Sequence, residues 1–477
     1  MNKWIAVLFI SSCPFLSASS WLPEALPIPE GASTGVDEIV NLVYDAANQT
    51  VIVAWGDKTT PAIPYFSVYN GTSWSTAATI PLGTGSGVSD DIGLAYNAAN
   101  STVVGAWGDS VASFNPPYYS VYNGTSWTTA ATIPLGTSSG VDVDVGLAYY
   151  PGNSTVVAAW GDNPSGTHPP YYSVYNGTNW TTAATIPLGA SVGVYVNISL
   201  IYDGANNTVM AAWNDHTDRV PYYSFFNGSS WTTAASIPLG ASTGVLDNVA
   251  LCYNAANNTV MAAWVDITTN LAYYTLYDGT SWTTPALIPL GESTGVYYII
   301  NLSYNSGSET VFAAWKDSVA GSPYYAIYNG SSWTTGAVIP AGTNVNICVS
   351  LAYDAKSDQM IAAWADSTSN QASFYSSYMD VLPPSSVQGI QKKNRFLTQT
   401  DIYNIISWMV PEGGTAPVSY RIYRDSTTEL IGIVAANAPL TYQDHNRKKG
   451  IAYSYLIISV DANGNQSLPV TIIVNPH

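Results

Sequence analysis

Positive charge is nearly missing from the greater part of this chain. Between residues 21 and 380 only Lys58, Arg219, Lys316 and Lys356 are basic, against 25 acidic residues, a net of −21. Such a body repels phosphate backbones and anionic headgroups across the Debye length, which excludes nucleic acid and anionic membrane surfaces and leaves neutral sugars or cations as better-matched partners. Charge of either sign is scarce, at 9% of 477 residues, while 47% are hydrophobic; the chain can bury a sizeable core and is globular rather than disordered. Apart from Cys13 there are only Cys252 and Cys348, which replace ordinary positions in different repeats and are expected to pack as free thiols. The same region holds only two histidines, His168 and His216, in different repeats and outside any HExxH or CxxC spacing, so no zinc centre is expected. "DVDVG" (142–146) lacks the third alternating ligand and the distal glutamate of a calcium loop, and "GTGSGV" (83–88) lacks the lysine of a phosphate loop. No Gly-x-Ser-x-Gly elbow occurs. Neither a metal nor a cofactor is expected.

What is abundant is repetition. "YNGTSW" (122–127) has near copies beginning at Tyr69, Tyr175, Phe226, Tyr277 and Tyr328. A second tryptophan series, Trp55, Trp107, Trp160, Trp213, Trp264, Trp315 and Trp364, is spaced by 52, 53, 53, 51, 51 and 49 residues, the period of stacked supersecondary units. The hairpin series Trp74, Trp127, Trp180, Trp231, Trp282 and Trp333 is one member short, and "SSWLPEALPIPEGAS" (19–33) supplies the missing one as Trp21. Each repeat reads as four strands, A to D, which in the third copy cover 144–150, 155–160, 170–176 and 179–187. The Asn-Gly or Asp-Gly pair between C and D predicts a two-residue turn with both central residues at positive φ. Strand B, as in "TVVAAW" (155–160), is apolar on both alternating faces, so each sheet is covered on both sides. Antiparallel four-stranded sheets covered by copies of themselves at this period form a β-propeller. The last repeat stops after "ASFYSSYMD" (372–380) without strand D, while the front of the chain supplies a lone strand D. The prediction is an all-β chain: a seven-bladed β-propeller over 20–380, closed by an N-terminal strand that removes two free edges at once.

The flanks read differently. Lys3, an apolar stretch from Trp4 to Leu16 and the small residues Ser17, Ala18 and Ser19 predict a signal peptide over 1–19 and a secreted or cell-surface protein. The competing reading takes "ISSC" (10–13) as a bacterial lipobox that would tether the chain through Cys13. No later stretch is long enough to span a bilayer. A proline-bounded linker, 381–386, leads to a basic segment over 387–477, where the period vanishes.

On these motifs the chain resembles seven-bladed propellers of the sialidase-like and lectin-like kind over 21–380. The C-terminal segment resembles a fibronectin type III domain, with "NIISW" (404–408) as its core-tryptophan strand and Gly450 and Tyr453 at tyrosine-corner spacing, although the usual Leu-x-Pro before the glycine is absent. The resemblance implies, for the β-sandwich, a spacer or interaction module. For the propeller it raises a glycosidase, which in the sialidase family clamps its substrate carboxylate with three arginines. One arginine, Arg219, cannot form that clamp, and the hairpins depart from the family's Asp-box by placing the polar residue directly before the glycine, where it is asparagine at 70, 123, 176, 227 and 329 and aspartate only at 278. The chain is therefore expected not to be an enzyme. Near-identical repeats with no unusual cluster of titratable residues in any one of them suit multivalent binding instead.

One residue is constant across the repeats: the aspartate two after each strand-B tryptophan, namely Asp57, Asp109, Asp162, Asp215, Asp266, Asp317 and Asp366. Its bland role is to accept backbone N–H bonds in the B to C turn. As ligand-binding candidates these aspartates are joined by Tyr65, Tyr118, Tyr171, Tyr222, Tyr273 and Tyr324, on the face carrying the variable B to C and D to A loops. The function expected is an exported, monomeric, lectin-like carbohydrate-binding propeller; the alternative is a non-catalytic surface scaffold or adhesin that binds a protein partner.

Overall fold

The computed structural model describes residues 20–22, 24–110, 115–162, 168–340, 344–368, 372–379, 381–395, 400–411, 416–426, 429–461, 466–467 and 469–476. The expected leader and Cys13 lie outside them. No helix among the described residues is long and apolar enough to cross a membrane. Two compact units are present, Trp21–Tyr378 and one that contains Met379–His477.

The larger unit is all-β, with seven antiparallel sheets among the described residues, spanning 41–79, 93–132, 146–185, 194–236, 250–287, 296–338 and 350–379 and called here sheets one to seven. Sheet three runs Gly146–Tyr150, Thr155–Gly161, Pro170–Tyr175, Ala184–Thr185 in spatial as well as chain order. The first strand of every sheet contacts the first strand of the next, and that of sheet seven contacts that of sheet one. This is the arrangement of a β-propeller. In sheet seven the outer places are taken by Ser20–Trp21 and Leu26–Pro27, both paired with Ser373–Met379.

The second strand shows why the sheets stack. Val156, Ala158 and Trp160 pack into one cluster with Val104 and Ala106 of sheet two, whereas Val157 and Ala159 pack with Val209, Ala211 and Trp213 of sheet four. Alternation puts one set on each face, and the alanines leave room for the neighbour's indole. All seven tryptophans of this series are fully buried; at about 25 cal/mol per Å2 each contributes on the order of 5 kcal/mol of transfer free energy before ordering costs. The hairpin tryptophans join the sheets at their outer edge. Trp127, Trp180, Trp231, Trp282 and Trp333 each meet edge-on an aromatic ring of the preceding sheet, Phe66, Tyr119, Tyr172, Tyr223 and Tyr274. Trp74 does so with Tyr375 of sheet seven, and Trp21 with Tyr325 of sheet six. Near the axis neighbouring strands almost touch: a Cβ on Gly146 would stand 2.1 Å from the Ile198 carbonyl oxygen. At the same place in sheets six and seven a polar side chain donates to the next sheet instead, Asn301 to Val349 O at 2.9 Å and Ser350 to Val40 O at 2.5 Å.

Two local expectations are corrected. The C to D hairpin is not a two-residue turn with both residues at positive φ. Only its glycine is, Gly177 at 96°, because the Asn176 carboxamide oxygen accepts the N–H groups of Thr178 and Asn179 at 3.0 and 2.8 Å and holds a four-residue loop closed by the Tyr175–Trp180 bridge. Nor is strand D continuous over 179–187. It shrinks to Ala184–Thr185 because hydroxyls replace part of the ladder: Val174 N–H donates to Thr181 Oγ1 at 2.9 Å and Ser173 Oγ donates to Thr181 O at 2.6 Å.

The smaller unit holds a three-stranded sheet, in the order Ser385–Arg395, Thr400–Met409, Thr441–Asp444, and a four-stranded one, in the order Leu430–Ala435, Ser419–Arg424, Tyr453–Val460, Val470–Val474. Trp408, Tyr420, Ile422, Tyr455 and Ile457 form its core. The Tyr453 hydroxyl accepts Lys448 N–H at 3.1 Å.

Candidate functional site

The seven constant aspartates are at most 4% exposed, and those whose partners are seen are spent on loop architecture. Asp266 is representative: Ser242 Oγ, Thr243 N and Oγ1, Thr268 N and Thr269 N and Oγ1 all donate to it. Burial by itself would raise this carboxyl, but the bonds from Thr243 and Thr269 overcome it and hold the group below the usual range. Asp57, Asp162, Asp215 and Asp317 likewise accept bonds from the loop entering their own sheet, and Asp109 accepts Ser86 N–H at 2.9 Å and Gly87 N–H at 3.1 Å. Asp366 accepts Thr368 N–H and Oγ1–H. Five of the six tyrosines lie nearly parallel to the buried indole of their own sheet, as Tyr65 does to Trp55 and Tyr171, Tyr222, Tyr273 and Tyr324 do to Trp160, Trp213, Trp264 and Trp315. Tyr118 and Tyr171 bond the hydroxyls of Thr84 and Thr137. The structure thus places all thirteen residues beneath the loop face, as its support.

On the opposite face, where the hairpins turn, a cleft of about 450 Å3 opens between sheets three and four. Its apolar walls are Tyr172, Trp180 and Phe226, and Asn153, Asn176 and Asn179 supply amides at its rim. Asn179 replaces the serine found at Ser73, Ser126, Ser230, Ser281 and Ser332. That substitution in one repeat is the signal that could have pointed here.

A second concavity lies on the axis. Every sheet contributes to a bore of about 250 Å3, through Ile39, Asp91, Asp144, Asn197, Asn248, Ile299 and Cys348. Above it a mouth of about 220 Å3 adds Glu38, Asp90, Asp247, Tyr297 and Tyr298. No one repeat carries an unusual titratable cluster, each giving only one or two such groups, but the ring gathers them into one, which a repeat-by-repeat reading does not show. Burial, then the charges of Glu38, Asp37 and Asp142, pushes Asp90 up to about 6. Asp144 rises to about 7 through burial and Asp90, against hydrogen bonds from Asn197 and from Asp91 N–H, the latter at 3.2 Å. Burial, then Asp144 and Asp90, raises Asp91 as well. Asp247 reaches about 6 by burial, with Arg219 pulling the other way. Nearby, His168 and His216, far apart in sequence, stack at 4.4 Å between centroids, and His168 Nδ1 stands 2.9 Å from Asp142 Oδ2. Both thiols, Cys252 and Cys348, are buried and free.

No protein-family model matches the chain, and no characterised protein matches it in sequence. Among solved structures, a fungal alcohol oxidase of the AA5 family in complex with copper is similar at 11% identity, with 96% of this chain and 99% of that one covered and a TM-score of 0.48. The lectin of Aleuria aurantia, described as a six-bladed β-propeller with a fucose recognition mode, is similar at 18% identity over 69% of this chain and 98% of its own, with a TM-score of 0.41. A mutant NanB sialidase of Streptococcus pneumoniae is similar at 13% identity over 79% of this chain and 72% of its own, with a TM-score of 0.43.

Proposed function

We propose that this chain is an exported, non-catalytic binding protein: a seven-bladed propeller, closed by its N-terminal strand, that takes carbohydrate in clefts between blades, with a fibronectin type III-like module at 387–477 as its accessory. The observation that carries the ligand class is the cleft between sheets three and four. Aromatic faces beside neutral amides suit a sugar, whose C–H faces stack on rings while its hydroxyls exchange hydrogen bonds with Asn176 and Asn179. An acidic body with one arginine in 21–380 disfavours anionic sugars and supports the non-catalytic reading. Export rests on the leader-like residues 3–19, and the module on its three-plus-four sheet order and the Tyr453 bond.

The test is a glycan array on residues 20–477, followed by calorimetry on any hit. Asn179→Ala should weaken binding about tenfold, one lost hydrogen-bonding group in a desolvated site, and leave the melting profile unchanged. A partner captured without competition from free sugar would favour the protein-binding scaffold.

A further inference from the structure

The axial mouth carries chemistry that the inter-sheet cleft does not use. Its carboxyl groups come from the entrances to four sheets: Glu38, Asp90 with Asp91, Asp144 and Asp247. Three buried oxygens here have no hydrogen-bond partner, Asp91 Oδ1, Asn197 Oδ1 and, in the bore below, Asn248 Oδ1, the Asp91 and Asn248 side chains each being 8% exposed. No basic side chain lines the mouth or the bore. Two cations close by already have partners: Arg219 lies 3.1 Å over the Tyr195 ring and donates to Leu246 O at 3.4 Å, and Lys316 lies 3.8 Å over the ring of Tyr297, a wall of the mouth, and donates to Asn346 O at 2.6 Å. Orphaned acceptors under a negative field call for N–H or O–H donors on a positive ligand. A bare metal ion does not answer, because no three carboxylate, imidazole or thiol groups among the described residues are placed to hold one. The walls supply the rest of the specification. Tyr297 and Tyr298 flank the carboxyls, with Val143, Val196 and Ile347 beside them, a surface for an alkyl or ring body, and Lys316 already shows that the Tyr297 face accepts an ammonium group.

We propose that the axial mouth binds a small organic amine, its primary ammonium group donating to Asp91 and Asp144 and its carbon body lying against Tyr297 and Tyr298. This site is distinct from the cleft and stands whether or not the cleft takes sugar. The mouth has the size for a free aliphatic amine or a single amino sugar, which share the ammonium chemistry.

The experiment is calorimetry and thermal melting of residues 20–477 at pH 8 and low salt with 1,4-diaminobutane, with glucosamine and with its neutral N-acetyl derivative, and separately with calcium chloride. Saturable binding of one amine per chain, raising the melting temperature, is expected. Binding of diaminobutane alone assigns an aliphatic amine, and binding of glucosamine but not its acetylated form assigns an amino sugar. Affinity should fall at least tenfold between pH 8 and pH 5 as the carboxyls take up protons. Asp91→Asn with Asp144→Asn should abolish amine binding, and Asp144→Asn alone should weaken it; both variants should fold, since each removes a repelling charge, while Asn179→Ala should bind the amine normally. The proposal is overturned if neither amine saturates, if the double variant binds as well as the parent, or if calcium binds this site more tightly than either amine.

Discussion

The indole N–H groups of the buried tryptophan series show how single residues govern local stability. Trp55, Trp160, Trp213, Trp264 and Trp315 each donate to a serine hydroxyl at 3.0–3.1 Å, from Ser33, Ser138, Ser191, Ser242 and Ser293. Trp107 has no such partner, because Gly85 stands where the serine would be. The backbone there follows the same course as in the third repeat: Gly85 N–H donates to Leu82 O at 3.0 Å, as Ser138 N–H does to Leu135 O. An added Cβ would lie 3.2 Å from Leu82 O and 3.3 Å from the Tyr118 ring, tight contacts that the other repeats accommodate. Gly85→Ser should therefore satisfy a buried donor and stabilise the protein by about 1 kcal/mol, read from the urea midpoint at constant slope; a lower midpoint would mean that Tyr118 cannot yield. Such asymmetries are legible in the sequence only after the repeats are aligned and the tryptophan's partner is known.

At the scale of one sheet, the inner three strands were legible and the fourth was not, for a physical reason. Strands A to C advertise themselves by apolar alternation and by the buried run at strand B, and their observed bounds depart from the expected ones by one or two residues. The outer segment carries threonines whose hydroxyls take over ladder bonds, and a period-2 pattern cannot report that exchange. The same exchange explains the serine facing it. Ser67, Ser120, Ser173 and Ser224, and Thr275, each donate to the outer segment's carbonyl at 2.6–2.7 Å, whereas sheet six has Ala326 at this place and, of the two hydroxyl-mediated bonds, keeps the one from Ile327 N–H to Thr334 Oγ1. Ser173→Ala should cost about 1 kcal/mol and Ala326→Ser should return a similar amount. Denaturant midpoints of the two single variants and their combination would show additivity, since the sites lie in different sheets. Equal midpoints for parent and Ser173→Ala would reduce the hydroxyl to filler.

For the whole molecule, periodicity revealed the repeat and its missing member, but not what the circle encloses. The channel residues occupy one position per repeat, the third after the loop valine, read as Ile39, Asp91, Asp144, Asn197, Asn248, Ile299 and Cys348; along the chain they are some fifty residues apart, and only closure makes them neighbours. Their titration gives the molecule a pH dependence whose sign follows from linkage. Asp90 and Asp247, raised to about 6, and Asp144, raised to about 7, hold protons in the native state that the unfolded chain, with its aspartates near 4, has already released. Glu38 and Asp91 shift the same way, as do Asp37 and Asp142 beside them, the last two tempered by Lys58 and His168. A raised carboxyl thus contributes stability that is present at low pH and is lost as pH climbs through the folded value. The loop aspartates Asp215, Asp266 and Asp317 are lowered and act oppositely, giving up their contribution only below the ordinary carboxylate range. The melting temperature in the absence of amine should therefore peak near pH 4 to 5, fall by more than about 5 °C on the way to pH 8, and fall again in stronger acid. Asp144→Asn should flatten the limb above pH 5 and leave the acid limb in place. A melting temperature that rises steadily from pH 5 to 8 would show that the axial carboxyls are ionised without cost, and that the channel is better hydrated than its packing implies.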